Sequence, residues 1–278
     1  MAYIKADEDT AGNPINIFYE DWGQGTPVVL IHGWPLDHTM WEHQALALAS
    51  SGHRVIAYDR RGFGRSSRPW GGYDYDTLAA DLNALLTELD LKNVTLVGFS
   101  MGGGEIARYI GNYGQTRLAR VAFVSAVPPF LMKTADNPDG VDSSVFEGMV
   151  EGMQKDRFAF LHDFGKAFFG VSMINKPVSQ AVLDWNQMVT SLAAPNATIS
   201  CAKAFSGTDF RADLKKITVP TLVIHGDADQ TVPITNSGER TAKAIPGAQY
   251  KVYEGEPHGL FFTAKDQLSR DLLDFISK

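Results

Sequence analysis

Short apolar runs alternate with longer segments of helical periodicity along this chain. Residues 27–32 form a continuous apolar run, which is typical of a parallel strand buried on both faces. Residues 15–22 alternate apolar and polar side chains, as an outer antiparallel strand does. Five further segments have strand character, namely residues 54–58, 94–99, 120–125, 221–225 and 249–253. This order predicts a parallel sheet covered by helices.

Three segments between or after these strands have the apolar spacing of amphipathic helices. In residues 77–89, leucines at positions 78, 82, 85, 86 and 89 fall on one helical face. Residues 104–113 and 265–276 follow the same periodicity. These segments are predicted to cover the sheet.

The alternation of strands and helices stops between residues 128 and 210. This stretch has no convincing buried strand, and Phe160, Phe164 and Phe168 recur every four residues, as on a helix. We predict a helical cap that is inserted after the sixth strand and covers the site. The predicted organisation is therefore a first part of the core at residues 1–127, the cap at 128–210 and a second part of the core at 211–278.

The segment Gly98-Phe-Ser100-Met-Gly102 has the pattern G-x-S-x-G and lies directly between a strand and a helix. A nucleophilic serine at such a turn needs a strained backbone, and the two glycines lack the β-carbons that would collide there. The free N–H groups at the start of the new helix would face the site where negative charge develops. This context predicts that Ser100 is a nucleophile.

A nucleophilic serine also needs a base and a carboxylate that orients the base, and on this fold the chain order is Ser, then Asp or Glu, then His. His258 follows the last predicted strand, and both Asp227 and Asp229 follow the preceding one. All these loops open at the carboxyl edge of the sheet, where open α/β sheets place their sites. We favour Asp229, because Asp227 directly follows Gly226 and could brace the turn.

The other histidines are weaker candidates for the base. His38, His43 and His53 lie on or beside a predicted surface helix, His162 lies in the cap, His225 ends a buried strand, and His32 is expected to shape the loop that it opens. The charged segment that begins at Tyr58 is interpreted as structural, with Asp59 paired to an arginine beneath the site.

The loop His32-Gly-Trp34-Pro35 follows the third strand, where this architecture supplies one of two oxyanion N–H donors. We predict the backbone N–H groups of Trp34 and Met101 as the two donors. Pro35 has a fixed φ and no N–H, so it would stiffen the loop and direct its carbonyl groups.

Composition narrows the function further. The formal net charge of −7 provides no electrostatic footprint for nucleic acid or an anionic membrane. The single cysteine, Cys201, excludes an intrachain disulfide and is expected to be a small packed residue. No signal-peptide pattern opens the chain, so a cytoplasmic location is expected. No histidine or carboxylate cluster has metal-ligand spacing, and no glycine-rich phosphate loop is present.

Several motifs resemble those of the cofactor-free bacterial haloperoxidases, a group that also contains perhydrolases and aryl esterases. They are His32-Gly-Trp-Pro-Leu-Asp, Tyr58-Asp-Arg-Arg-Gly-Phe-Gly-Arg-Ser-Ser, Gly98-Phe-Ser-Met-Gly-Gly-Gly-Glu, Thr208-Asp-Phe-Arg and Ile224-His-Gly-Asp-Ala-Asp-Gln-Thr-Val-Pro. The resemblance extends from about residue 14 to the C-terminus. It implies the α/β-hydrolase fold, a mostly parallel eight-stranded sheet flanked by helices with a helical cap after strand 6.

The resemblance also implies a triad of Ser100, Asp229 and His258, oxyanion donors at Trp34 and Met101, and no haem or metal cofactor. Members of this group hydrolyse small or aryl esters, and some open lactam rings. With a carboxylic acid and hydrogen peroxide they make peracids, which oxidise halide outside the site. The expected substrate pocket is lined by Trp34, Pro35, Phe99, Phe130, Phe164, Phe168, Trp185, Val232 and Leu260.

Two other interpretations keep the same triad. One is a different reaction on this fold, such as carbon–carbon bond hydrolysis or hydroxynitrile cleavage, and the other is a ligand receptor that retains an old hydrolase site. A haloalkane dehalogenase is disfavoured, because its nucleophile would be Asp where this chain has Ser100. The sequence leaves open the physiological substrate, its stereochemistry and whether the protein forms a homo-oligomer.

Overall fold

The computed structural model describes residues 2–277, and these residues form one eight-stranded sheet. The strands are β1 (Ala2–Glu8), β2 (Pro14–Trp22), β3 (Pro27–Ile31), β4 (Arg54–Tyr58), β5 (Val94–Phe99), β6 (Leu118–Val124), β7 (Thr221–Gly226) and β8 (Gln249–Tyr253). They lie in the order β1-β2-β4-β3-β5-β6-β7-β8. The six strands β3 to β8 are parallel to their neighbours, whereas β2 pairs antiparallel with β4 and with β1. The predicted fold class is confirmed.

Seven of the eight strands lie where their apolar patterns predicted them, within a few residues at each end. Strand β1 has no sustained apolar pattern, and Ile4 is its only buried side chain. Its presence also corrects the position of β2, which is antiparallel as predicted but is covered by β1 and is therefore not the outer strand.

The core is divided by the sheet into two layers, and β3 shows how. Val29 and Ile31 point into one layer, while Val28 and Leu30 point into the other, as the two-residue period of a strand requires. Helices α1 (Glu42–Ser50), α2 (Tyr75–Glu88) and α3 (Met101–Tyr113) lie along the first half of the chain. Both α2 and α3 begin earlier than predicted, at residues 75 and 101. The start of α3 directly after Ser100 matters for the site.

The insertion predicted after the sixth strand contains helices α4 (Ser143–Phe168), α5 (Gln180–Leu192) and α6 (Pro195–Gly207). Helix α4 is broken at Asp156, whose φ of −156° and ψ of 92° are not helical. The Asp156 carboxylate accepts a hydrogen bond from the N–H of Ala159 at 3.0 Å and so caps the second half of the helix. Two helical pieces of different direction thus cover the carboxyl edge of the sheet.

After the cap, the chain returns to the core through helices α7 (Arg211–Leu214), α8 (Gly238–Ala244), α9 (Leu260–Thr263) and α10 (Lys265–Ile276). Helix α10 matches its predicted bounds, and Leu268 and Leu272 bury its apolar face together with helix α1. Within residues 2–277, no helix is both long enough and apolar enough to span a bilayer.

Candidate active site

Ser100 occupies the sharp turn between β5 and α3 in a strained backbone conformation. Its φ of 52° and ψ of −117° lie in a region that residues with a side chain rarely adopt. A β-carbon on Gly98 would lie 2.6 Å from the Gly102 carbonyl, and one on Gly102 would lie 2.6 Å from the Ile31 carbonyl oxygen. Both glycines are therefore required by close backbone approach, as the motif predicted.

The structure places the three predicted triad residues in one hydrogen-bonded chain. His258 Nε2 lies 3.0 Å from Ser100 Oγ, and His258 Nδ1 lies 2.6 Å from Asp229 Oδ2. All three side chains are buried. A neutral imidazole that donates its Nδ1 proton to Asp229 leaves Nε2 free to accept the Ser100 proton, and 3.0 Å is within reach for that transfer.

Asp229 is held in an anionic form by its surroundings. Its Oδ1 accepts hydrogen bonds from the N–H groups of Thr231 at 2.9 Å and Val232 at 2.8 Å. Burial alone would raise its pKa, but the nearby charge of His258 and hydrogen bonds from His225 and His258 outweigh burial, and the pKa lies well below its usual value. The alternative carboxylate, Asp227, is exposed and accepts the N–H of Gly255 at 2.6 Å.

Two phenylalanine rings enclose the His258 imidazole. The centroids of Phe99 and Phe168 each lie 4.9 Å from that of His258, with interplanar angles of 45° and 84°. Both phenylalanines are buried and belong to the core layer behind the histidine. They restrict the orientation of the ring, and neither lines the cavity, which corrects their predicted place in the pocket wall.

The two residues predicted to supply the oxyanion donors lie near Ser100: Met101 follows it in the chain, and Trp34 lines the same cavity. Neither the N–H of Trp34 nor that of Met101 has an acceptor among residues 2–277. Met101 is the first residue of α3, where an N–H has no partner within the helix. The Trp34 indole donates to the carbonyl of Thr198 at 3.0 Å, so this loop is fastened to the cap.

A cavity of about 450 Å³ opens above Ser100 and His258. Of the predicted wall residues, Trp34, Phe164 and Val232 line it. The remaining wall is mainly apolar side chains from the cap and the strand ends, namely Val127, Leu131, Val141, Val145, Phe146, Met149, Phe160, Ala167, Phe205 and Pro233. Asp163, Gln230 and Thr231 are its other polar members. The site therefore suits an uncharged, largely apolar substrate.

Four further pocket predictions are corrected by the structure. Pro35 is buried within the tight turn closed by the hydrogen bond from the N–H of Leu36 to the carbonyl of Gly33 at 3.1 Å. Phe130 faces the guanidinium of Arg211, and Leu260 is fully buried in the core. Trp185 lines a separate groove between α5 of the cap and core residues 39–43 and 262–265.

The cavity residues that sequence reasoning missed had a readable signal on helix α4. Phe160, Asp163, Phe164 and Ala167 follow the i, i+3, i+4, i+7 spacing of a single helical face. Phe168 falls one residue beyond this set, and its side chain turns from the cavity towards the core.

The charged segment after β4 is structural, but its pairing differs from the prediction. Asp59 binds no arginine side chain within residues 2–277: it accepts from Nδ1 of the buried His38 at 2.6 Å and from the N–H of Arg65 at 2.7 Å. His38 lies in a short 3₁₀ helix directly before α1, close to where the sequence placed it, but its side chain is buried. Asp37, His38 and Asp59 lie close enough to ligate a metal, but Asp37 already accepts the N–H and hydroxyl of Thr39. Hydrogen bonding accounts for this cluster.

A family model described as the alpha/beta hydrolase fold matches residues 26–265. A non-heme chloroperoxidase from Kitasatospora aureofaciens is 46% identical over 271 residues, covering 97% of this chain and 98% of that protein. A bifunctional esterase/perhydrolase from Acinetobacter calcoaceticus is 39% identical, with 99% of each chain covered. The solved structure of a bromoperoxidase from Bacillus anthracis superposes with a TM-score of 0.96 at 49% identity, covering 100% of this chain and 99% of that one. The chain belongs to the non-haem haloperoxidase family of α/β-hydrolases.

Membership of the non-haem haloperoxidase family confirms the resemblance drawn from the sequence motifs. It makes this protein an enzyme with a hydrolase fold. The shared features extend over almost the whole chain, so they include the cap as well as the sheet.

Proposed function

We propose that this enzyme is a serine hydrolase of small or aryl esters, with hydrogen peroxide able to replace water, and that the same acyl transfer extends to the strained amide of a lactam. The observation that carries the proposal is His258, which lies between Ser100 and Asp229 at the floor of an apolar cavity. Attack by a serine hydroxyl on an ester needs a base at this position, and an apolar cavity accommodates the acyl or aryl group of such a substrate.

The proposed reaction begins when Ser100 Oγ attacks the ester carbonyl carbon while His258 Nε2 takes the hydroxyl proton. The carbonyl oxygen becomes an oxyanion that accepts hydrogen bonds from the N–H groups of Trp34 and Met101. Each such donor contributes roughly 3–4 kcal/mol of transition-state stabilisation. His258 then returns the proton to the leaving alcohol, and an acyl-Ser100 intermediate remains.

Deacylation repeats these steps with a second nucleophile. Water gives the carboxylic acid, whereas hydrogen peroxide attacks the acyl carbon, passes a proton through His258 to Ser100 Oγ and leaves as a peracid. The peracid would oxidise halide after it leaves the enzyme. This peroxide branch is supported by relatives named non-heme chloroperoxidase and bifunctional esterase/perhydrolase. No cofactor takes part in any of these steps.

The turn after Trp34 offers a test of the choice between water and peroxide. Pro35 fixes the backbone there, and a carbonyl of this turn directed at the nucleophile could accept the second hydrogen of peroxide. We expect Pro35→Leu to lower the ratio of perhydrolysis to hydrolysis. An unchanged ratio would remove Pro35 from the proposal and leave the triad unaffected.

The decisive experiment is Ser100→Ala assayed with p-nitrophenyl acetate. Turnover should fall by roughly 10⁴-fold or more while the circular dichroism spectrum stays unchanged. Turnover near the wild-type rate would refute the proposal. A wild-type protein that reacts with a fluorophosphonate at Ser100 but turns over no ester would instead indicate a ligand receptor.

A further inference from the structure

A buried arginine beneath the site takes no part in the proposed reaction. Arg60 follows β4 and is 1% exposed. Its Nε donates to Glu105 Oε1 at 2.5 Å, and its Nη2 donates to the carbonyl oxygen of His32 at 2.6 Å. The opposite carboxylate oxygen of Glu105 accepts the hydroxyl of Tyr58 at 2.6 Å. Glu105 is therefore held by Tyr58 as well as by Arg60.

The two acceptors of Arg60 belong to the two segments that carry the oxyanion donors. His32 comes two residues before Trp34, and its carbonyl belongs to the peptide that leads into the loop. Glu105 lies on α3, four residues after Met101, which is one helical turn. A single guanidinium thus bridges the oxyanion loop and the nucleophile helix.

Packing between the two segments leaves little room for movement. A β-carbon on Gly102 would lie 3.1 Å from the His32 carbonyl oxygen, and one on Gly33 would lie 3.1 Å from Ser100 Cβ. The His32 ring also accepts the N–H of Arg60 at Nε2, at 2.9 Å. Steric contact prevents the loop after β3 and helix α3 from moving closer together. The hydrogen bonds that Arg60 makes to both segments oppose their moving apart.

We propose that Arg60, anchored by Glu105, is a positioning residue that sets the separation between the N–H groups of Trp34 and Met101. The proposal rests on the proposed function, because it concerns the oxyanion site of that reaction. Oxyanion donors act through geometry, and a displacement of about 1 Å can cost about 10²-fold in rate. Arg60 would act on the transition state without touching the substrate.

The chemistry of arginine suits this role. Burial alone would lower the pKa of Arg60, but the Glu105 carboxylate outweighs burial and keeps the pKa above its usual value, so the side chain stays charged. The planar guanidinium donates in two directions at once, towards a carboxylate and towards a carbonyl. The single ammonium of a lysine cannot reproduce that fork.

The next residue provides a matched control. Arg61 donates to both carboxylate oxygens of Asp81 at 2.6 Å, and this pair is buried to a similar extent. Asp81 lies on α2, and neither partner bonds to the oxyanion loop or to α3. Arg61→Lys therefore disturbs a comparable buried ion pair without disturbing the proposed spacing.

The test compares Arg60→Lys and Glu105→Gln with Arg61→Lys and Asp81→Asn. The measurements are kcat and KM for p-nitrophenyl acetate, the Tm, and the inhibition constant of phenylboronic acid. This inhibitor accepts Ser100 Oγ at boron and places an anionic oxygen in the oxyanion site. For the first pair we expect kcat to fall roughly 10- to 100-fold with KM within about 3-fold, and boronate binding to weaken by a similar factor.

The control pair should lower the Tm while kcat and boronate affinity stay within about 3-fold of wild type. Equal losses of kcat in both pairs, or an unchanged kcat in a folded Glu105→Gln, would overturn the proposal. Should Arg60→Lys fail to fold, Glu105→Gln and Tyr58→Phe decide the matter, since each keeps the side-chain volume close to that of wild type. Ser100→Ala distinguishes failure of the Arg60 proposal from failure of the proposed function. Only activity retained in Ser100→Ala would count against the proposed function.

Discussion

One wall of the catalytic cavity is also the wall of a second space. Phe146 lines both the 450 Å³ cavity above Ser100 and a neighbouring groove of about 320 Å³. The groove is bounded by apolar and polar side chains of the cap that include Val150, Ala202 and Lys203. Phe160 and Phe164 stack on each other at 6.0 Å, whereas Phe146 pairs with no aromatic ring among residues 2–277. Among the aromatic wall residues, Phe146 is thus the one whose removal breaks no aromatic pair of the described chain.

We predict that Phe146→Ala joins the two spaces and shifts the preference of the enzyme towards longer acyl chains. Each methylene that enters an apolar environment contributes about 0.8 kcal/mol, which is about 4-fold in kcat/KM. Wild-type kcat/KM should stop rising at the chain length that reaches Phe146, and the variant should continue to rise by about that factor for each added methylene. Because the ring is only half buried, the cost in stability should be about 2 kcal/mol, less than for a core phenylalanine.

The assay is kcat/KM for p-nitrophenyl esters from acetate to decanoate. Val150→Ala is the control, because it enlarges the groove without opening the wall. An optimum at the same chain length in wild type and Phe146→Ala would refute the reasoning. An equal shift in Val150→Ala would assign the effect to a general loosening of the cap.

Three further outcomes follow from the geometry of the site. Asp229→Asn should lower kcat for p-nitrophenyl acetate by roughly 10⁴-fold with little change in KM, because an amide favours the wrong histidine tautomer; a loss below about 10-fold would contradict this. Because the folded-state pKa of Asp229 is depressed, its stabilising contribution is present above about pH 4 and is lost as the pH falls towards the folded pKa. The difference in urea stability between wild type and Asp229→Asn should therefore narrow below about pH 4, and a constant difference would exclude that carboxylate as the cause. Gly102→Ala should lower both Tm and kcat, because its β-carbon would lie 2.6 Å from the Ile31 carbonyl oxygen. Gly148→Ala is the control: its β-carbon would have no atom within 4 Å, so the change should be neutral or stabilising. Similar effects of the two substitutions would contradict the argument from close backbone approach.

The buried strands were predictable because a strand covered on both faces needs an unbroken apolar run. Residues 28–31 meet that need, and they lie in β3 at the centre of the sheet. Strand β1 lies at one edge with Ile4 as its only buried side chain, and residues 2–8 show no sustained alternation. Strand β8, at the other edge, also buries only one side chain, Tyr253, but its polar and apolar residues alternate over 249–252. The pairing of β1 with β2 depends on the partner strand, which the local pattern of β1 does not contain.

The cap shows why aromatic residues alone do not identify a pocket. Phe160, Phe164 and Phe168 are equally spaced, but eight residues along an α-helix rotate a side chain by about 80°. Phe160 and Phe164 accordingly face the cavity, while Phe168 packs against His258 in the core. Tertiary packing decides which face of a helix points towards the cavity and which towards the core. Both faces are apolar here, so composition does not distinguish them.

The partners of buried charged residues are also difficult to predict from sequence. Asp59, Arg60 and Arg61 are consecutive, yet their partners are His38, Glu105 and Asp81, which come from three different elements. The sequence predicted that Asp59 pairs with an arginine beneath the site, but the partner of a buried charge is set by topology. Arg60 follows Asp59 directly in sequence, yet the two side chains bind different partners.

The role of a residue can therefore be predicted from sequence when few residue types and conformations meet the chemical requirement at its position. A serine at φ of 52° before a helix, flanked by glycines that cannot carry a β-carbon, is one of very few ways to expose a nucleophile. The five-residue motif therefore identifies Ser100 once its position between a strand and a helix is recognised. Many combinations of apolar residues can form a cavity wall, so the residues that line it are identified only from the fold. Arg60 is an intermediate case. Its guanidinium is well suited to bridge a carboxylate and a carbonyl, but only the structure shows that these two acceptors belong to α3 and to the loop after β3.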